Sequence, residues 1–590
     1  MESPVRELAL ETGTPGSRAE WEEAAAAVLR KAGRLGEDAP ASEVWARLAR
    51  TTLDDIAVPP LGTPELVEGL TQGLGAPVSQ RGDRWDNRPL FANPDAASTA
   101  REIVTDLENG ATSVWIQVGA AGVPVDGLST ALGDVLLDAA PVVLDAPDDP
   151  IEAARAFADL ASGTTPADGT TLGVDPIGSA ARRGTDPQAV EDTVAEAGRI
   201  AGELGCRALV VDGTAVHDLG ASDAQELGYV LAVAASYLRA LTATGLGPAE
   251  AADLVEFRLA ATDEQFPTIA KMRAARRLWA RMLELCDVPA EQRDMRLHAV
   301  TSRPMMSRYD PWVNMLRTCV ASFAAGVGGA DAVTVLPFDA PIGLPDAFAR
   351  RIARNTASVL VEESHVAKVA DPAAGAYAVE RLTADLARAA WAELDRTESG
   401  GGIGAALADG SLLQRVEAVA AERDREVALR QRPITGLTEF PNLAEAPLER
   451  TPYPEGALQV RSYGHAFEAL RDDPPAQPVF LATMGTVAAH TARASFAGNL
   501  LGAGGIEVVN EGRHDDVDAV LSHYRGEQVV CLAGSDDAYA EWGTELAQRL
   551  REAGAEWVIV AGAPLEGTDD NCARGVDALD FVTRTREKLA

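Results

Sequence analysis

Seven histidines and five cysteines are the imidazole and thiol groups this 590-residue chain offers, so their neighbours decide what chemistry they can do. His217, followed by Asp218, lies at the end of the strand-like run VVDGTAVHD. There it could serve as a general acid, or equally be a histidine held structurally by hydrogen bonds. His490 follows another strand-like run; from such a loop an imidazole could bind a metal, though a solvated histidine is the commoner case. Cys206, Cys286, Cys319, Cys531 and Cys572 are scattered, odd in number and free of any CxxC pair. That argues against a disulfide framework or zinc site, so no metal is expected and buried free thiols in a reducing cytoplasm are. Gly326, Gly328 and Gly329 precede a strand rather than follow one, so they are no dinucleotide fingerprint. GNLLGAGG (498–505) reads as a helix C-cap, Asp310-Pro311-Trp312 as a helix start, and Glu362-Glu363 with His365 as a helix end. No P-loop, GxSxG or HExxH is present.

The elements that would position these residues alternate in type. From about 75 to 365, β-branched runs at 112–119, 141–146, 171–175, 207–213, 255–260, 295–300 and 332–338 are separated by amphipathic helices, with a weaker run at 77–82. In SDAQELGYVLAVAASYLRAL, Ser222 and Gln225 form a capping box, and Leu227, Leu231, Ala234, Leu238 and Leu241 share one face. This alternation predicts a (β/α)8 TIM barrel; an open doubly wound sheet is the alternative, but the units are many for one. Barrel active sites lie at the carboxyl ends of the strands, where His217 falls.

Further helices are expected to about 425, then a linker over 426–475 broken by Pro433, Pro441, Pro447, Pro452 and Pro454. Strand runs at 478–485, 505–512, 528–534, 557–564 and 579–584 give the last unit, 476–590, a flavodoxin-like pattern. Residues 1–70 form an arm whose helix SRAEWEEAAAAVLRKAG presents Trp21, Ala24, Val28 and Leu29 as an apolar stripe. Too small to fold alone, the arm is expected to cover another surface. A net charge of −37 weighs against nucleic-acid or anionic-membrane partners. No apolar run reaches bilayer length, and MESPVRELALETG has no signal-peptide pattern.

Three stretches carry a family resemblance. DPWVNMLRTCVASFAAGVGGADAVTVLPFDAPIGLPDAFARRIARNTASVLVEESHVAKVADPAAGAYAVERL (310–382), RPITGLTEFPNLAE (432–445) and RWDNRPLFANPD (84–95) resemble the methylmalonyl-CoA mutase family over nearly the whole chain. The resemblance implies a TIM barrel followed by a cobalamin-binding-type domain, in a family that rearranges CoA thioesters with adenosylcobalamin. Its active members carry D-x-H-x-x-G after the first strand of the C-terminal domain, the histidine binding cobalt and the aspartate orienting it.

This sequence departs from that pattern. Aligned on Met484-Gly485, Val487 stands at the aspartate and Ala489 at the histidine. Shifting by one to use His490 puts Ala488 at the aspartate and Arg493 at the glycine. Leu90 stands where the family has a tyrosine, and Ala215, two residues from His217, where it has a histidine. No catalytic or cofactor-binding residue is therefore expected on this chain. VHDLGASDAQE and VLPFDAPIGLPDAF look more like the small, non-catalytic type found in heterodimeric members of the family. That likeness implies a large catalytic partner subunit that binds the adenosylcobalamin, with the arm packed against it, and a mutase-associated GTPase as a further candidate partner. A divergent active acyl-CoA mutase and a mutase scaffold or cofactor-handling protein are the competing readings.

Overall fold

In the computed structural model, residues 16–70, 77, 79 and 81–590 are described. Eight strands build the first sheet: β1 in two pieces, Asp86–Asn87 and Leu90–Phe91, then β2 Val114–Gln117, β3 Val142–Asp145, β4 Thr171–Val174, β5 Arg207–Asp212, β6 Val255–Ala261, β7 Arg296–Thr301 and β8 Ala332–Thr334. Each pairs in parallel with its chain neighbour. Closure comes through β1, whose first piece pairs with β8 and whose second pairs with β2. Pro89 separates the pieces because it has no N–H to give the ladder, although its carbonyl still accepts from Trp115. The closed parallel sheet with its outer helices is a TIM-type barrel. The weaker run expected at 77–82 lies partly outside the described residues, and the first strand is β1.

The helix Asp223–Ala243 has the expected capping box at Ser222 and Gln225. It is buried on nearly every side, because the long helix Tyr377–Ser399 packs across the face that barrel helices usually leave to water. Asp310 adopts φ 45 before the helical turn Pro311–Val313, and a π-helical turn, Val359–Glu363, ends before His365.

A second parallel sheet follows, of β9 Val479–Thr483, β10 Val508–Val509, β11 Val529–Ala533, β12 Trp557–Ala561 and β13 Asp570–Cys572. Its order, β10-β9-β11-β12-β13, with a hydrophobic cluster on each face, fits a flavodoxin-like domain. The expected strand at 579–584 is instead part of the helix Ala578–Glu587. Its buried residues Ala578, Phe581, Val582 and Thr585 recur at helical rather than alternating spacing, and β13 takes the edge position. Asp577 caps this helix by accepting from the Asp580 N–H. Asp577→Ala is expected to cost about 1 kcal/mol, read as a lowered urea midpoint for the C-terminal domain.

Three smaller expectations are also corrected. In the helix Arg18–Lys31 the buried positions are Ala26 and Leu29, which join Leu35 and Val44 in a small cluster; Ala24 is exposed and Val28 is 67% exposed. The segment that follows supplies Leu35 and Val44 to the Ala26 and Leu29 side of the helix and leaves Val28 outside the cluster. Among the cysteines, only Cys531 and Cys572 are buried, since both lie on central or paired strands, while Cys286 is exposed at a helix end. The proline-broken stretch contains a short helix, His465–Asp472. Its preceding residues cross the carboxyl ends of the barrel strands, where Arg461 N–H reaches the Asp218 carbonyl and Tyr463 N–H that of Pro304.

Candidate functional site: barrel lumen, mouth and C-terminal crevice

Side chains alternate along a strand, so Glu256 and Arg258 of β6, Arg296 and His298 of β7 and Asp86 and Arg88 of β1 share the inner face. Arg88 Nη1 donates to Glu256 Oε1 at 2.7 Å and Nη2 to Asp86 Oδ2 at 2.8 Å. Above this pair the Arg258 guanidinium lies 4.1 Å from the centre of the Trp115 ring, and His298 meets that ring edge-on at 5.3 Å. His298 Nε2 is 2.7 Å from Thr334 Oγ1. Burial, then the surrounding guanidiniums, push the His298 pKa well below its ordinary value, so this imidazole is neutral near pH 7. Arg88, Trp115, Glu256, Arg258 and His298 are each at most 2% exposed. The lumen is a packed ionic core.

At the carboxyl ends of the strands, three arginines interleave with three aspartates. Arg182 bridges Asp212 and Asp218 at 3.0 Å each, Arg258 joins Asp212 at 3.2 Å and Asp145 at 3.6 Å, and Arg303 reaches Asp218 at 3.1 Å. Burial raises the Asp212 carboxyl, but Arg258 and Arg182 outweigh it and hold the group well below the carboxylate range. His217 is buried beside this ring, with Nε2 2.7 Å from Ser302 Oγ and Nδ1 3.5 Å from Glu226 Oε2. Glu226 in turn meets Lys271 Nζ at 2.8 Å and accepts from the Ala260 N–H at 2.7 Å. His217 is thus a buried imidazole with partners at both ring nitrogens. Ala215 is fully buried on the same short helix, Thr214–His217.

Two carboxyls nearby, the buried Glu226 and the half-buried Asp175, shift in opposite directions. Burial raises Glu226, yet Lys271 and His217 prevail and hold it at about 2; burial lifts Asp175, beside the Tyr237 hydroxyl, to about 7. Glu226 is depressed when folded, so its contribution is present above the unfolded value near 4.3 and is lost as pH falls toward 2. Asp175 is raised, so its contribution is present below about 3.9 and is lost as pH rises toward 7. Stability is therefore expected to have a falling limb between about pH 4 and 7 that Asp175→Asn flattens, checked by urea titrations across that range.

Over the mouth lies a cleft of about 410 Å³, roofed by residues 453–465 and lined by Leu90, Gln117, Arg303, Leu336, Leu344 and Tyr453 among others. Leu90 thus projects into open space, while His217 and Ala215 do not line it. In the C-terminal domain, Val487 and Ala488 are exposed on the first turn of the helix Val487–Ala503, and Ala489 is half-buried. His490 is neither in a loop nor solvated: it is 6% exposed, with Nδ1 3.3 Å from the Gly485 carbonyl oxygen. The helix begins three residues earlier than a loop reading allows and turns the ring inward. Behind it, Arg493 and Tyr539 pack together at the ends of β11 and β12. Arg493 Nη1 donates to Gly534 O at 2.7 Å and its guanidinium lies 4.9 Å from the Tyr539 ring centre. The Tyr539 hydroxyl sits between Gly534 N and Ala561 O, 2.9 Å from each. Among the described residues, no group of three or more His, Cys, Asp or Glu is arranged to hold a metal ion.

Sequence reasoning missed the arginine–aspartate ring, Gln117, Tyr453 and the Arg493–Tyr539 pair. One signal was available: charges at alternate positions in apolar strands, as in VEFRLA and MRLHAV, mark an inward ionic face.

A closed barrel followed by a flavodoxin-like domain defines a class of two-unit proteins, and sequence comparison narrows it. The methylmalonyl-CoA mutase family model matches residues 100–492, and the chain belongs to that family. It is 45% identical to the methylmalonyl-CoA mutase small subunit of Streptomyces virginiae, over 97% of this chain and 96% of that one. It is 35% identical to the small subunit of Propionibacterium freudenreichii subsp. shermanii, over 97% and 94%. The methylmalonyl-CoA mutase of Cereibacter sphaeroides is 36% identical over only 40% of this chain and 34% of its own.

Proposed function

We propose that this chain is the non-catalytic subunit of an adenosylcobalamin-dependent methylmalonyl-CoA mutase. It supports a homologous large subunit that interconverts succinyl-CoA and (R)-methylmalonyl-CoA. The observation that supports this reading is the residue set at the mouth: Leu90 lines the cleft and Ala215 is buried away from it, above a lumen packed with Arg88, Trp115, Arg258 and His298. Leu90 and Ala215 supply neither a phenol nor an imidazole to a reacting carbonyl.

Adenosylcobalamin, where bound in this family, supplies radical chemistry from its cobalt–carbon bond. The residues here do not fit it. Ala489 offers no ligand, Val487 no orienting carboxylate, His490 points to the Gly485 carbonyl, and Arg493 packs with Tyr539 at the ends of β11 and β12. We assign residues 1–70 to a partner-contacting arm, 71–425 to the barrel with its trailing helices, 426–475 to the linker and 476–590 to a degenerate cobalamin-binding-type domain. Cytoplasmic location is part of the proposal and rests on the free thiols.

A divergent active mutase is the reading this most directly opposes. The test is turnover of methylmalonyl-CoA by the purified chain with added adenosylcobalamin. The proposal expects none above the rate without protein; turnover by this chain alone would overturn it.

A further inference from the structure

The cleft over the barrel mouth, which Leu90 lines, is given no ligand in the reading above. Its walls are mostly apolar, with Leu90, Met306, Leu336 and Leu344 on the barrel side and Leu458 and Val460 on the strap. Its volume, about 410 Å³, lies in the range of small-molecule sites, which are apolar pockets with a few convergent polar groups.

Three such groups line it. Gln117 is 7% exposed, and its side-chain amide has no hydrogen-bond partner among the described residues. With no protein partner and its residue on the cleft wall, the Gln117 amide is a donor and acceptor available to a guest. The Tyr453 hydroxyl likewise has no partner among the described residues. Arg303 donates to Asp218 through Nη1, while its Nε and Nη2 have no acceptor among the described residues.

The charges favour an anionic head at that end. Arg350 is paired with Glu102 at 3.0 Å and Arg308 with Glu468 at 3.3 Å, so these lining pairs cancel. Arg303 instead shares Asp218 with Arg182, which leaves its outer donors free. Both Gln117 and Tyr453 can donate to the same acceptor.

We propose that this cleft binds a small amphipathic carboxylate, with its alkyl body along the apolar walls and its head on Arg303, Gln117 and Tyr453. Decanoate is the probe, titrated calorimetrically into the full chain, with octanoate and decanamide as comparisons. Saturable one-to-one binding of decanoate is expected, weakened on the order of tenfold for octanoate by the loss of two buried methylenes. Decanamide and the variants Gln117→Leu and Tyr453→Phe are each expected to bind about tenfold more weakly, through one lost charge-assisted or neutral hydrogen bond. Leu90→Trp, which fills the cleft from a half-buried position, is expected to abolish binding. Tyr453→Phe removes only a hydroxyl from a partly exposed ring, so its fold is retained and its result is readable. The proposal is overturned by no saturable binding up to about 1 mM decanoate. Equal affinity for decanamide, or undiminished binding in Leu90→Trp, overturns it as well.

Discussion

Lys271→Met is expected to destabilise the barrel by about 3–5 kcal/mol, because it removes the cation from a buried cluster and leaves the carboxylates behind. Lys271 is fully buried, with Nζ 2.8 Å from both Glu226 and Asp223. Glu226 is itself fully buried and also holds the Ala260 N–H and His217 in place. Methionine keeps much of the lysine stem's packing, so the loss reports charge rather than volume. The double variant Lys271→Met with Glu226→Gln is expected to regain a substantial part of the loss, since the fully buried carboxylate is then gone and only the half-buried Asp223 is left without its cation. Urea midpoints of the barrel transition measure both. A loss below about 1 kcal/mol for the single variant would mean that Glu226 reaches water or takes up a proton readily in the fold.

The second large effect concerns the C-terminal crevice. Putting back the family's polar pair, Val487→Asp with Ala489→His, is expected to leave the chain without measurable cobalamin affinity. Dissociation constants weaker than about 1 mM are expected, short of about 4 kcal/mol of binding. The obstruction lies deeper than those two positions. Arg493 is fixed by the Gly534 carbonyl and stacked on Tyr539, whose hydroxyl ties the ends of β11 and β12 together. Spectra of hydroxocobalamin after dialysis against the double variant check this. Stoichiometric uptake would show that the crevice opens and that the missing ligands alone account for the loss.

Much of this architecture was legible in the sequence because hydrophobic period and turn chemistry act locally. The seven stronger barrel runs from 112 to 338 became β2 to β8, each a short apolar segment between helices. The first strand was harder to see. Pro89 splits it, and charged Asp86 and Arg88 fall within its six residues 86–91, so period and composition both mislead. LDFVTR failed for another reason: six residues rich in β-formers fit a strand, but the Asp577 cap and the longer Ala578–Glu587 period decide for helix. The site was the least legible part. The ring of Arg182, Arg258 and Arg303 with Asp145, Asp212 and Asp218 draws on five separate stretches of chain that only barrel closure brings together. Nor could a one-residue reading of His490 foresee that the helix turns its ring inward.

The measurement that bears most directly on the central claim is the cobalamin content of the complex between this chain and a co-expressed large-subunit homologue. After purification, corrin absorbance is set against protein concentration for the complex and for each chain alone. The account predicts a one-to-one complex carrying a single cobalamin, with mutase activity that needs the large chain. It also predicts that none of the corrin stays with this chain when the two are separated. Two cobalamins per complex, or corrin retained by this chain alone, would contradict it.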